Sequence, residues 1–149
     1  MPSFSMTSKD RLNTCHHVLR TLFFEVIKYF DCTILYGYRE PAEQLALFKR
    51  GRKLENGVWV IENKLEVVTY CDGYEKLSNH NARPSDAVDV APYPIDWQDT
   101  KRLYYFAGFV KGMAEHMGLK IIWGGDWQDD KNMNNQSFFD LPHFERVKE

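Results

Sequence analysis

Two short segments of the chain concentrate side chains that can hold a metal ion and move a proton. In the first, Ser78-Asn79-His80 is followed by Asp86-Ala87-Val88-Asp89; the second is Asp140-Leu141-Pro142-His143-Phe144-Glu145. Imidazole nitrogen and carboxylate oxygen suit zinc, and a catalytic zinc site takes three protein ligands and keeps a fourth position open. His80, His143 and one carboxylate meet that requirement. In an extended run alternate side chains share a face, so Asp89 would point away from Val88 and Val90. Asp86, in the preceding polar loop, is the competing ligand.

Asp140 stands three residues before His143. That spacing can set a carboxylate beside a ligand without ligating, where it can take a proton from an attacking water and pass it to a leaving amine. A metal ion would polarise the carbonyl under attack and make water acidic near neutral pH. The oxyanion formed needs a further donor, and Arg39 is the best-placed candidate. On residue chemistry alone, the two histidines fit ordinary hydrogen-bonded side chains as well as they fit ligands.

These residues need elements to position them. Apolar residues recur at Leu12, Cys15, Leu19, Leu22, Val26, Ile27 and Phe30, a spacing that predicts one amphipathic helix over about 8–30 with its N-cap at Thr7 or Ser8. His16 and His17 are expected at its surface or boundary. Residues 32–38 read as a short strand, with Gly37 marking a bulge or a close backbone approach. Pro41 suits the first turn of a helix over 41–50, ended by Gly51. The two apolar runs of 57–70 suggest a hairpin turning at Glu62-Asn63-Lys64. AVDVAPYP reads as a strand stopped by Pro92. Asp99 or Thr100 opens a second long helix that ends near Gly118, and LKIIW is strand-like. Pro142 predicts that the last strand is an edge strand or carries a bulge. Helices and short strands mix without a regular βαβ alternation. The expected fold is therefore α+β, with a small, largely antiparallel sheet, two long helices and a single domain over residues 1–149.

Composition narrows the function classes. A formal net charge of −2 argues against a broad basic face for nucleic acid. No run of 18 apolar residues is present, so no stable membrane insertion is expected, and the N-terminus lacks the apolar core of a secretory signal. The three cysteines, Cys15, Cys32 and Cys71, form no CxxC pair. Buried free thiols from a reducing compartment are the simpler reading, with a Cys32–Cys71 pair left open. The loop holding Asp126, Asp129, Asp130, Asn132 and Asn134 carries calcium-type donors, but its spacing is not that of an EF-hand, and a solvated loop is favoured. Trp123 and Trp127 suit core or rim packing, or one of them a substrate groove.

The segments GYREPAEQLALFKRGR, SNHNARPSDAVDVAPYPIDW, WGGDW and FFDLPHFE together resemble the zinc D,L-peptidases related to D-alanyl-D-alanine carboxypeptidases. Within them the resemblance is to phage endolysins that act as L-alanyl-D-glutamate endopeptidases, and it covers nearly the whole chain. It implies one zinc ion held by His80, Asp89 and His143, with Asp140 as catalytic base and Arg39 contacting substrate or the oxyanion. Ser78 is implied to support the site by hydrogen bonding, and Gln44, in the same matching stretch, to belong to the substrate-binding set. Many members have a shorter loop between the first histidine and the aspartate; the extra residues fall within 81–85, where insertion costs little loop entropy. The Asp at the base position favours the endolysin-like branch.

The implied function is hydrolysis of the L-alanyl-D-glutamate bond of the peptidoglycan stem peptide in bacterial lysis. A D-alanyl-D-alanine carboxypeptidase or dipeptidase, and a non-catalytic wall-binding domain, are the alternatives. A monomer is expected. It would be made in the host cytoplasm and reach the wall after a membrane-permeabilising partner, a holin, has acted.

Overall fold

The computed structural model describes residues 1–148. Its main sheet has four strands in the order β1-β4-β6-β5, all antiparallel: β1 Cys32–Tyr36, β4 Ala87–Pro92, β6 Asp140–Arg146 and β5 Ile121–Gly124. A separate hairpin pairs β2 Arg52–Glu55 with β3 Val58–Ile61. The helices are α1 Met6–Leu12, α2 His17–Val26, α3 Pro41–Phe48 and α4 Thr100–His116. The expected α+β architecture is observed.

Strand alternation gives the main sheet one apolar and one polar face. On the apolar face, Val88 and Val90 of β4 and Phe144 of β6 are buried under α2 and α4. Leu19, Leu22, Phe23 and Val26 come from α2, and Phe106, Ala107, Val110 and Ala114 from α4. Phe144 is central, with its ring edge-to-face against Phe23 at 5.4 Å and Phe106 at 6.2 Å. The other face of the same strands carries Asp89, His143 and Glu145.

Three expectations change. The helix expected over 8–30 is two helices, because residues 14–16 leave the helical path to pair with Ser85: Ser85 N–H donates to Thr14 O and His16 N–H to Ser85 O. The apolar spacing runs through the break because Leu12, Cys15 and Leu19 all still face the core. Ser5, not Thr7 or Ser8, caps α1, and the His16 ring accepts from Val18 N–H to cap α2. Among the described residues only α4 is therefore a long helix. Its start at Thr100 behind the Asp99 cap is as expected.

The hairpin turns earlier than expected, at Asn56-Gly57. Both residues have positive φ, 52° and 78°, the requirement of a two-residue turn whose twist suits antiparallel strands. The Glu62-Asn63-Lys64 region instead enters a 3-10 turn, Lys64–Glu66.

Finally, β6 is an interior strand, so of the two readings of Pro142 the bulge is the correct one. Trp123 pairs with Phe144 and Gly124 with Asp140, which leaves residues 141–143 unmatched on the β5 side. Pro142, with no N–H to donate, falls where neither neighbouring strand pairs it. Trp123 Nε1 closes the gap by donating to Leu141 O at 2.7 Å.

Candidate active site

The sheet register brings two of the proposed ligands together, since Asp89 on β4 is the direct partner of His143 on β6. His80 arrives from a 3-10 turn, Asn79–Asn81, that is bonded to Gly37 and Arg39, just after β1. Ser78 caps this turn: its Oγ accepts from His80 N–H at 3.2 Å, and its own N–H donates to Asn81 Oδ1 at 2.9 Å. Asn81 Nδ2 then donates to Arg39 O, and Arg39 N–H to His80 O, so the turn and the residues after β1 hold one another.

Each histidine has one ring nitrogen anchored. His80 Nδ1 lies 2.8 Å from Gly37 O, an acceptor, so it carries the proton and Nε2 is bare. His143 Nε2 lies 2.7 Å from Glu145 Oε1, which turns Nδ1 toward Asp89. His80 Nε2 and His143 Nδ1 converge on one carboxylate oxygen: Asp89 Oδ1 is 3.3 Å from His80 Nε2 and 3.5 Å from His143 Nδ1.

Ligand atoms spaced at the edges of a tetrahedron around zinc should be about 3.3 Å apart, given bonds near 2.0 Å. The three ligand atoms lie within 4.8 Å of one another, and His80 Nε2 and Asp89 Oδ1 are buried without a hydrogen-bond partner. Buried polar atoms are almost always satisfied. Two orphaned lone-pair donors aimed at one point therefore fit a cation. Asp86 is not part of this cluster. Its carboxylate is instead paired with Arg146 Nε at 2.6 Å and Lys148 Nζ at 3.6 Å.

Asp140 Oδ2 stands 3.7 Å from His143 Nδ1, and 34% of the side chain is exposed to the groove. Residues three apart in a regular strand face opposite ways; the bulge at 141–143 turns Asp140 and His143 to the same side. Burial and the charge of Asp89 push the Asp140 carboxyl up to about 6. Burial opposes ionisation of Asp89 too, but His80 and His143 outweigh it and hold that carboxyl far below the usual range. For His143, burial disfavours the charged ring, yet the carboxylates of Asp89, Glu145 and Asp140 beside it outweigh burial and raise it to about 10.

Arg39 is buried against this cluster. Its Nη2 is 3.4 Å from Asp89 Oδ2 and its Nη1 donates to Gln44 Oε1 at 2.9 Å, with Tyr36 beneath the guanidinium. Gln44 is wholly buried, and its Nε2 donates to Thr69 Oγ1 and Cys71 O. From there it holds Arg39 and does not meet the groove.

A groove of about 400 Å³ runs over the cluster, lined by Arg39, Ser78, His80, Asp140 and His143 among others. Trp127 forms part of its wall, 5.2 Å from the His143 ring, whereas Trp123 belongs to the core. Asn79 and Asn81 were not singled out in the sequence. The Ser78/Asn81 capping-box spacing is the signal that could have found Asn81. The acidic loop has partners of its own: Asp126 accepts from the N–H groups of Asp130 and Lys131 within it, and Asp129 pairs with Lys111 of α4.

The fold is shared with a crystal structure of a Serratia marcescens L-Ala D-Glu endopeptidase, ChiX: TM-score 0.64 at 22% identity, covering 97% of this chain and 89% of the other. The family model for phage L-alanyl-D-glutamate peptidase matches residues 2–147. That match favours the endopeptidase reading over the carboxypeptidase and the non-catalytic alternatives. The chain belongs to the phage L-alanyl-D-glutamate peptidase family and is a peptidase of peptidoglycan.

Proposed function

We propose that this peptidase works with a single zinc ion held by His80 Nε2, Asp89 Oδ1 and His143 Nδ1, and that residues 1–149 act as one catalytic domain. The observation that carries the reading is the pair of buried, unpartnered lone-pair donors facing one another beside His143. When bound, zinc supplies Lewis-acid polarisation of a carbonyl and a water acidic near neutral pH.

The chain's own residues supply the rest. Asp140, on the groove side of His143, accepts the proton of the attacking water and delivers it to the departing amine of the D-glutamate residue. Its raised affinity for a proton suits both halves of that transfer. Arg39, held by Gln44 and Asp89, presents a fixed positive charge to the oxyanion formed at the alanine carbonyl. Ser78 keeps His80 in place through the 3-10 turn, and Trp127 closes the wall beside His143 against bulk water. Glu145 holds the His143 ring in the ligating tautomer.

The substrate is the stem peptide of peptidoglycan, cut between L-alanine and D-glutamate. Among the described residues no helix is long and apolar enough to cross a membrane. The enzyme acts on the wall as a monomer once a membrane-permeabilising partner has opened the way from the cytoplasm where it is made. Metal analysis of the protein purified without added zinc, joined to mass spectrometry of digested muropeptides, tests the reading. Stoichiometric zinc and new L-alanine C-termini are expected. Release of terminal D-alanine would transfer the protein to the carboxypeptidase reading, and a metal-free protein that zinc cannot activate would sink the mechanism.

A further inference from the structure

Asn79 lies one residue before His80, yet its side chain reaches to the opposite ligand segment. Its Nδ2 donates to Glu145 Oε2 at 2.8 Å, and the other oxygen of Glu145 holds His143 Nε2 at 2.7 Å. Its Oδ1 accepts from Lys148 Nζ at 2.9 Å. These partners settle the orientation of the amide. A lysine ammonium can only donate and an ionised carboxylate can only accept, so the oxygen must face Lys148 and the NH₂ must face Glu145. Glu145 is thus gripped from both sides, with one oxygen on the turn that carries His80 and the other on the ring of His143.

The consequence is geometric. His80 sits on a short 3-10 turn reached through a long irregular segment, and His143 on an interior strand interrupted by a bulge. No ladder hydrogen bond joins the two segments directly. We propose that Asn79 is the positioning residue that locks the two histidine ligands to each other through Glu145. Lys148 completes the clamp by fixing which way the amide points. The proposal rests on the metal reading above and extends it to residues that never touch the ion. Without the amide, Glu145 keeps only its bond to His143 and can swing, and the ring swings with it. Outer partners of this kind are worth roughly 10–100-fold in metal affinity.

The test is the zinc dissociation constant of the full chain, measured by competition with a chelator of known affinity. The proteins compared are wild type, Asn79→Ala, Asn79→Asp, Glu145→Ala and the Asn79→Ala/Glu145→Ala double variant. Asn79→Ala should weaken zinc binding about tenfold, near the lower end of that range. Asn79→Asp, nearly the same shape, should be at least as damaging because it sets a carboxylate against Glu145. The double variant should bind no more weakly than Glu145→Ala alone, since Asn79 acts only through Glu145.

A readout independent of turnover is the visible absorption of the cobalt-substituted proteins, whose ligand-field bands should shift in Asn79→Ala. A merely space-filling role would leave Asn79→Asp like wild type, and that result overturns the proposal. So would additive losses in the double variant, or wild-type zinc affinity in Asn79→Ala. A wild type that takes up no zinc would remove the metal reading and this proposal with it. A wild type that binds zinc beside an unaffected Asn79→Ala would remove this proposal alone.

Discussion

Asp89 and His143 are cross-strand partners in the β4–β6 ladder, and Asp89 Oδ1 lies 3.5 Å from His143 Nδ1. Two of the three proposed ligands are therefore set by sheet register. A one-residue slip of β6 would move His143 and Glu145 to the core face and bring Phe144 out. Phe144, fully buried between Phe23 and Phe106, holds that register. The apolar core and the site are two faces of one strand pair.

The proton-handling role given to Asp140 separates it from the ligands. Asp140→Asn is expected to retain zinc and to lower kcat by on the order of 10²–10⁴. His143→Ala should lose the zinc itself. Metal content and single-turnover hydrolysis measured on the same samples decide it. Loss of zinc from Asp140→Asn would make Asp140 a ligand.

Zinc binding should depend on pH in a definite direction. With its pKa raised to about 10, His143 carries a proton at neutral pH before metal arrives, and a ligating nitrogen must give its proton up. Affinity should therefore rise with pH, by about tenfold per unit below that value for one proton released. Calorimetric titrations in buffers of different ionisation enthalpy count the protons. Equal heats in all buffers, corrected for dilution, would contradict it.

Arg39 uses two donors in two directions, toward Gln44 and Asp89. A lysine has one compact charge and cannot span both. Arg39→Lys should therefore lose most of what Arg39→Ala loses, with kcat falling on the order of 10²–10³ and KM changing little. A rise in KM with kcat intact would assign Arg39 to ground-state substrate binding.

Gly124 couples the bulge to the proposed base, Asp140. A Cβ there would overlap the backbone carbonyl of Asp140, its register partner. Gly124→Ala is expected to cost about 1–3 kcal/mol of stability as an overpacking change and to displace Asp140. Denaturant midpoints and kcat should fall together, with zinc content less affected. Unchanged activity in a destabilised variant would dissociate the two.

The thiols should divide by burial. Burial pushes Cys15 and Cys32 up to about 12, while Cys71, partly exposed in the groove wall, is raised less. At pH 8 an alkylating reagent should modify Cys71 first, and the other two only on unfolding. Peptide mass spectrometry after timed quenching reads the order; equal labelling of all three in the native protein would refute it.

The residue types of the site were legible before any fold was known. His80, Asp89, Asp140 and His143 stand in short segments of suitable chemistry, which alone left the histidines open between ligand and ordinary hydrogen-bonded side chain until the family resemblance singled out the set; alternation along β4 already separated Asp89 from Val88 and Val90. The strand-like and helical patterns around them were also readable, because apolar periodicity is local. Long-range pairing was not. The break at residues 13–16 arises from hydrogen bonds to Ser85, far along the chain, and local spacing cannot report it. Pro142 left edge and bulge open, and only the neighbouring strands decided between them.

Asp86 pairs with Arg146 and Lys148, partners that sequence order gives no reason to expect, and stands outside the His80, Asp89 and His143 group. Glu145 and Asn79 became meaningful only when β6 and the His80 turn were brought side by side. Ligand chemistry is a property of side chains and can be read one residue at a time. Which nitrogen is bare, which carboxylate is free and which residues grip them are properties of neighbours, and folding supplies the neighbours.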